Sequence, residues 1–198
     1  MNKLLLIIFV KNINQGTVKT RLAKTIGEEK ACEVYKHLVD ITENAINSLF
    51  MEKRVYFSNT IIDKKWLKTI KKVQKGEDLG QKMQNSFKNG FDDGFEKIIL
   101  IGSDLPDISA KIINEGFDQL ENNEVVFGPA EDGGYYLLGM TKHHFCIFEN
   151  KPWSQSNLLA KTKEELKKKK ICYSLLETLN DIDTEEDLKN SIIGPRYL

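Results

Sequence analysis

The residues best suited to chemistry fall in four short stretches of the 198-residue chain. The first is Gly102-Ser103-Asp104-Leu105-Pro106, which closes the aliphatic run Ile98-Ile99-Leu100-Ile101. Such a run, bounded by glycine and proline, reads as a strand buried on both faces, as in a parallel sheet. The Asp104 carboxylate then stands at the strand's C-terminal tip, where ligands bind in open α/β sheets. Gly102 leaves room for a ligand to approach the backbone, and Ser103 is a further candidate contact. A plainer alternative is that Asp104 only starts a turn. As a residue at a surface tip, it should be replaceable at little cost to the fold.

The second stretch, Lys11 to Leu22, follows an opening strand at 4–10 and carries Lys11, Lys19 and Arg21. If the strands are parallel, these cations share a sheet edge with Asp104. They can neutralise phosphates, Arg21 by a bidentate fork. An extended loop would point Lys19 and Arg21, two residues apart, to one side. Asp104 could hold a divalent ion, Mg²⁺ or Mn²⁺, that bridges the same phosphates. The loop has neither a P-loop nor a dinucleotide fingerprint, since its single glycine is Gly16.

The third stretch is Gly128-Pro129-Ala130-Glu131-Asp132-Gly133-Gly134-Tyr135. A hairpin turn explains Asp-Gly by itself. Pro129 and the doubled acid argue instead for a built site, with Asp132 a candidate general base, Glu131 its support, and Gly133 and Gly134 letting a substrate come close. The fourth is Asp181-Ile182-Asp183-Thr184, where Thr184 and Asp187 fit a capping box but the two earlier acids are left without a structural reason. Between the second and third stretches, Gln74, Asp78 and Gln81 lie in a polar loop that could face a base or ribose.

Strands alternating with helices position these groups, giving a three-layer α/β/α domain with a mostly parallel sheet over residues 1–198. Val55-Tyr56-Phe57, Val73-Gln74, Val125-Val126-Phe127 and Ile171-Cys172-Tyr173 read as further strands. Helical spacing runs from Ala31 to Leu49, and Leu79, Met83, Phe87 and Phe91 form one core-facing stripe. Ser109 is an N-cap. Trp66, Leu67 and Ile70 suggest a small helix, and Trp153 to Ser156 open another that ends in Lys167 to Lys170. His143-His144 reads as a surface pair rather than a metal site.

Lys+Arg and Asp+Glu are both 29, so no global charge points to nucleic acid or an anionic membrane. The apolar start, Leu4 to Val10, lacks a small-residue cleavage pattern and is too short to span a bilayer. Cys32, Cys146 and Cys172 match no zinc or disulfide framework, which suggests reduced thiols in a cytoplasmic protein. The sequence leaves a homo-oligomer open.

The blocks Phe9-Val10-Lys11, Val18-Lys19-Thr20-Arg21-Leu22, Gly76-Glu77-Asp78-Leu79-Gly80, Gly102-Ser103-Asp104-Leu105-Pro106 and Gly128 to Tyr135 occur in this order in a bacterial and archaeal family, as do Trp153-Ser154 and Asp181 to Thr184. Over nearly its whole length the chain resembles these GT-A-type glycosyltransferases, also called selenodomain-associated transferases. The resemblance implies a nucleotide-diphospho-sugar transferase fold, GT-A-like and Rossmann-like. It also implies a nucleotide-sugar or nucleoside triphosphate donor, a small-molecule acceptor, and Asp183 as a second metal ligand beside Asp104. Ser103-Asp104-Leu105 stands where glycosyltransferases of this fold carry Asp-x-Asp, and Lys11 with a longer insertion stands where nucleotidyltransferases carry a Gly-Gly loop.

Three readings follow. In glycosyl transfer, an acceptor hydroxyl attacks the sugar and a nucleoside diphosphate leaves, with Asp132 or Glu131 as base. In nucleotidyl transfer, a phosphorylated acceptor attacks a triphosphate and pyrophosphate leaves, with no base needed. The third is a nucleotide-binding module without turnover. The acidic pair favours the first.

Overall fold

The computed structural model describes residues 3–197. Seven strands build one sheet: β1 (Leu4–Val10), β2 (Glu52–Phe57), β3 (Ile70–Val73), β4 (Lys97–Ile101), β5 (Val125–Pro129), β6 (Tyr135–Met140) and β7 (Tyr173–Leu175). Their spatial order is β3-β2-β1-β4-β6-β5-β7. Only β6 runs against its neighbours, β4 and β5; the other pairings are parallel. The sheet therefore aligns the C-terminal ends of six strands along one edge, with the start of β6 among them.

The aliphatic runs are buried on both faces because helices cover both. Leu6, Ile8 and Val10 of β1 pack on one side with Tyr35 and Val39 of α2 (Glu28–Asn47) and with Ile113 and Phe117 of α4 (Ala110–Gln119). Leu5, Ile7 and Phe9 pack on the other with Met83 and Phe87 of α3 (Leu79–Asp92) and with Leu159 and Leu166 of α5 (Leu158–Lys168). This is the period-two alternation of a strand between two apolar layers. The first helix, α1 (Thr20–Ile26), and the last, α6 (Glu185–Asn190), meet α2 over a third cluster around Leu22, Leu38, Ile182 and Leu188.

Several local expectations give way to tertiary packing. No helix forms at Trp66: its backbone is left-handed (φ 59°), Glu43 accepts its N–H at 2.7 Å, and Ile70 opens β3. Helix α5 starts at Leu158, past Trp153 to Ser156, and the last strand starts at Tyr173 rather than Ile171. The acidic turn does join a β5–β6 hairpin, with a register shift at Gly128 and Pro129. His144 is buried rather than on the surface, and His143 packs among Phe91, Phe145 and Phe148.

The capping box at α6 is present. Thr184 Oγ1 accepts from Asp187 N–H at 3.2 Å, and Asp187 Oδ2 accepts from Thr184 N–H at 2.7 Å. Replacing Thr184 with Ala should lower stability by about 1 kcal/mol, read as a shift in urea midpoint with unchanged slope. An unmoved midpoint would show that α6 does not depend on this cap.

Candidate functional site

A cavity of about 330 Å³ opens at the C-terminal edge of the sheet. Lys11 reaches it from the end of β1, Gln74 from the end of β3, and Gly102, Ser103 and Asp104 from the end of β4. Asp132 and Gly134 enter from the β5–β6 turn, and Trp153 to Gln155 from the segment before α5. Phe9, Leu79, Met83, Leu100 and Tyr135 make the rest of its wall largely apolar.

The last two carboxylates arrive on a strap between β7 and α6. Leu176 N–H donates to Phe127 O at 2.8 Å, Leu179 N–H to Pro129 O at 3.1 Å, and Ile182 N–H to Asp104 O at 3.4 Å. Ile182 is fully buried, and in an extended segment its two neighbours face the opposite way. Asp181 and Asp183 thus both line the cavity. The Asp-Ile-Asp pattern is an anchor between two cavity-facing side chains.

Lys19 ties these pieces together. Its ammonium lies 3.2 Å from Asp104 Oδ2 and 3.1 Å from Asp183 Oδ1. The Lys19 side chain is 1 % exposed, whereas those of Asp104 and Asp183 are 30 % and 39 % exposed. The lysine backbone is left-handed (φ 49°, ψ 46°), uncommon for a residue with a side chain. Burial disfavours this ammonium, but Asp104, Asp183 and Asp181 outweigh it and raise its pKa well above the usual lysine value. Burial pushes the Asp104 carboxyl upward, while Lys19 and Lys11 hold it below its ordinary range. Asp181 has no such partner. Burial, then the charge of Asp104, and also those of Asp183 and Asp132, push it to about 6 against partial relief from Lys19. Asp104, Asp132, Asp181 and Asp183 therefore share one field, with Lys19 beneath them and Lys11 at the rim.

The structure gathers Lys11, Gln74, Ser103, Asp104, Asp132, Gly134 and Asp183 at the cavity. It separates others. The segment at Lys19 and Arg21 is not extended, because α1 begins at Thr20; Lys19 faces inward and Arg21 is 65 % exposed, 3.5 Å from Asp183 Oδ2. Asp78 and Gln81 do not line the cavity: Asp78 caps α3 by accepting Gln81 N–H at 2.8 Å, and the Gln81 side chain accepts Glu77 N–H at 3.1 Å. Gln74 donates to Tyr56 O at 3.0 Å. Glu131 is exposed and off the cavity wall, whereas the Asp132 carboxylate accepts Gly134 N–H at 2.7 Å. Gly133 (φ 86°) lies so close to the Ser156 carbonyl that a side chain would overlap it. Leu79 is half-exposed at the cavity rather than in the core.

Two polar residues, Tyr35 at the cavity and Asn12 in the loop behind it, carry no signal in their sequence neighbourhoods. Tyr35 occupies an apolar-face position of α2, yet its hydroxyl accepts Lys11 N–H at 2.9 Å and meets Ser103 Oγ at 2.9 Å. Burial pushes this phenol to about 12, so it stays protonated. Asn12 is buried and fastens the loop after β1 to the loop after β2, accepting Asn59 N–H at 2.8 Å and donating to Thr60 O at 2.7 Å. Asp181 was visible as an unexplained acid, and only the strap shows where it points.

The family model described as "Uncharacterized protein conserved in bacteria (DUF2064)" matches residues 56–155, which is 100 of the 198 residues. The chain belongs to this family. The matched span of this DUF2064 member runs from within β2 through the acidic turn to Gln155, so it holds Asp104 and Asp132 but neither Lys19 nor Asp183. A provisionally named nucleotide-diphospho-sugar transferase from Desulfovibrio desulfuricans G20 superposes with a TM-score of 0.89 at 28% identity, covering 98% of this chain and 94% of its own. A cytidylyltransferase from Leptospira borgpetersenii serovar Hardjo-bovis gives 0.60 at 18% identity, covering 96% and 84%. A Mycobacterium tuberculosis H37Rv protein solved in complex with manganese gives 0.57 at 12% identity, covering 95% and 97%. The last two share the fold alone. No curated protein matches the chain in sequence.

The ion pairs change what Asp104 should contribute to stability. Asp104→Asn removes the charge from one of the two acceptors of a buried ammonium. It should cost about 1–3 kcal/mol in urea denaturation rather than the near-zero cost of a surface tip. Arg21→Gln, on the exposed side of Asp183, should stay within about 0.5 kcal/mol. Equal costs for the two variants would mean that burial of Lys19 does not matter.

Proposed function

We propose that this chain is a transferase acting on a nucleotide-activated donor, and that it moves a sugar from a nucleoside-diphosphate sugar to a small acceptor. The observation that carries the reading is the convergence of Asp104, Asp183 and Asp132 on one cavity that also offers Lys11 and an apolar wall. The apolar wall suits a base or sugar face, and Lys11 suits a phosphate. The likeness to the D. desulfuricans structure supports a nucleotide-using transferase.

The donor atoms at the strand tips suit Mg²⁺ or Mn²⁺. They are hard carboxylate oxygens, and such ions need only one or two of them when phosphates and waters complete the shell. Among the described residues no group of three or more His, Cys, Asp or Glu is arranged to hold an ion alone. Asp104 and Asp183 would hold it, and the fold neighbour with manganese is in keeping with that ion class. When bound, the ion would stabilise negative charge on the leaving diphosphate. Lys11 draws the phosphates to the β1 tip, and Tyr35 fixes the Lys11 backbone and Ser103 relative to each other. Asp132 stands across the cavity to take a proton from an acceptor hydroxyl.

Charge favours a sugar donor over a triphosphate. Four carboxylates face the cavity region against Lys11 and the already engaged Lys19. A triphosphate would bring more negative charge into that surplus than a sugar-bridged diphosphate does. No helix among the described residues is long and apolar enough to cross a membrane. The three cysteines are free, in keeping with the cytoplasmic setting proposed for this enzyme.

Asp132→Asn keeps an oxygen that can accept Gly134 N–H but removes the base. Under this reading kcat falls roughly 10²–10⁴-fold while the donor dissociation constant stays nearly constant. The assay offers sugar nucleotides and triphosphates in parallel, with Mn²⁺ and candidate acceptors, and identifies the leaving group. Nucleoside diphosphate released in an Asp132-dependent way supports glycosyl transfer. Pyrophosphate released from a triphosphate at near wild-type rate in Asp132→Asn assigns nucleotidyl transfer instead.

A further inference from the structure

The position between Asp104 and Asp183 already holds a cation, the Lys19 ammonium. It is nearly equidistant from them, 3.2 Å from Asp104 Oδ2 and 3.1 Å from Asp183 Oδ1, where the two carboxylates stabilise positive charge. We propose that Lys19 is a tethered cation that competes with the divalent ion for this carboxylate pair, so that the donor-free protein binds Mg²⁺ or Mn²⁺ weakly and the ion enters together with the donor's phosphates. The inference rests on the reading of Asp104 and Asp183 as metal ligands.

Three observations carry it. First, Asp104 and Asp183 each spend one oxygen on Lys19, with Arg21 3.5 Å from the second oxygen of Asp183, and both stay partly exposed, so an incoming ion must share or displace the ammonium. Like charges at such short separation repel, and the lysine itself is screened by almost no water. Second, the lysine is locked rather than loosely paired. Its side chain is nearly inaccessible, its backbone is left-handed, and α1 starts at the next residue. The arrangement is built into the chain entry to α1 and is not a chance surface contact. Third, both carboxylates share the one ammonium, so the pair can turn wholly to an ion only once Lys19 is given another partner. A donor phosphate at the β1 tip is such a partner, since Lys11 marks that side of the cavity as the anion side.

The competition fixes the sign of an experiment. A residue that only clamped phosphate would leave bare-metal affinity unchanged when neutralised. A residue that only positioned the two acids would lower that affinity. A competing cation raises it. The test titrates Mn²⁺ into the full chain without nucleotide, by calorimetry and by the paramagnetic resonance signal of free Mn²⁺, for wild type, Lys19→Met and Lys19→Gln. The Gln variant retains hydrogen-bond donors for both carboxylates and serves where Lys19→Met melts early. The expected result is Mn²⁺ binding on the order of tenfold tighter in the neutral variants than in wild type, with UDP raising Mn²⁺ affinity more in wild type than in Lys19→Gln. Equal or weaker Mn²⁺ binding by a folded Lys19→Gln protein overturns the inference while leaving Asp104 and Asp183 as ligands. Absence of Mn²⁺ binding in every protein, with UDP present, overturns both the inference and the metal part of the proposed function.

Discussion

One buried ammonium organises this site. Lys19 lies 85 residues from Asp104 and 164 from Asp183 in sequence, yet it bonds both. An ammonium with almost no solvent exposure persists only if its charge is met, because burial without partners would discharge it. The two acids thus come from the tip of β4 and from the closing strap, and each depends on the other through the lysine. The left-handed backbone at Lys19 is a local cost held in place by this pairing and by the start of α1. Removing a member leaves an uncompensated charge, a larger penalty than the net worth of a surface pair.

Much of the frame could be read from residue order alone. Ile98 to Ile101 and Leu5 to Val10 are apolar at every position, which only a sheet covered on both faces requires, and the structure buries all of them. The Ser109 and Thr184 caps were equally local, and both form. The misplacements share a physical cause. Trp66 has helical neighbours in spacing, but its N–H is claimed by Glu43 from α2, a partner 23 residues away. Asp78 and Gln81 looked like ligand contacts because polar side chains at a loop exit can either cap a helix or face a cavity, and short-range sequence does not separate the two. His144 is buried against expectation because Glu124 lies 3.3 Å away, a pairing set by the end of β6 and the turn before β5.

Close backbone approach shapes the cavity as much as charge does. Gly80, in the first turn of α3, leaves space for the Trp153 ring, which a Cβ would meet at 2.6 Å. Gly133 does the same for the Ser156 carbonyl, and Leu159 N–H donates to Gly133 O at 3.0 Å. The acidic turn is therefore docked against the start of α5, and its second acid, Asp132, lines the cavity while Glu131 lies off its wall. The doubled acid in the sequence is two residues with different fates. That distinction needs the docking partner, which lies some twenty residues downstream and carries no marker of its role.

The fold does not choose the reaction. A similar fold carries a sugar transferase by name in one neighbour and a cytidylyltransferase in another. What differs between such chemistries is the balance of charge at the strand tips and the presence of a base. Here the cationic loop, which looked in sequence like a phosphate clamp of three residues, resolves into three roles. Lys11 faces the cavity, Lys19 is consumed internally, and Arg21 sits outside against Asp183. With one lysine left at the rim, the site is poorer in free positive charge than its sequence suggested and richer in carboxylate. Under the proposed function, an added cation is what lets a site of that balance take phosphates. Under the same proposal, selectivity for a donor is tied to how readily Lys19 gives up its two acids.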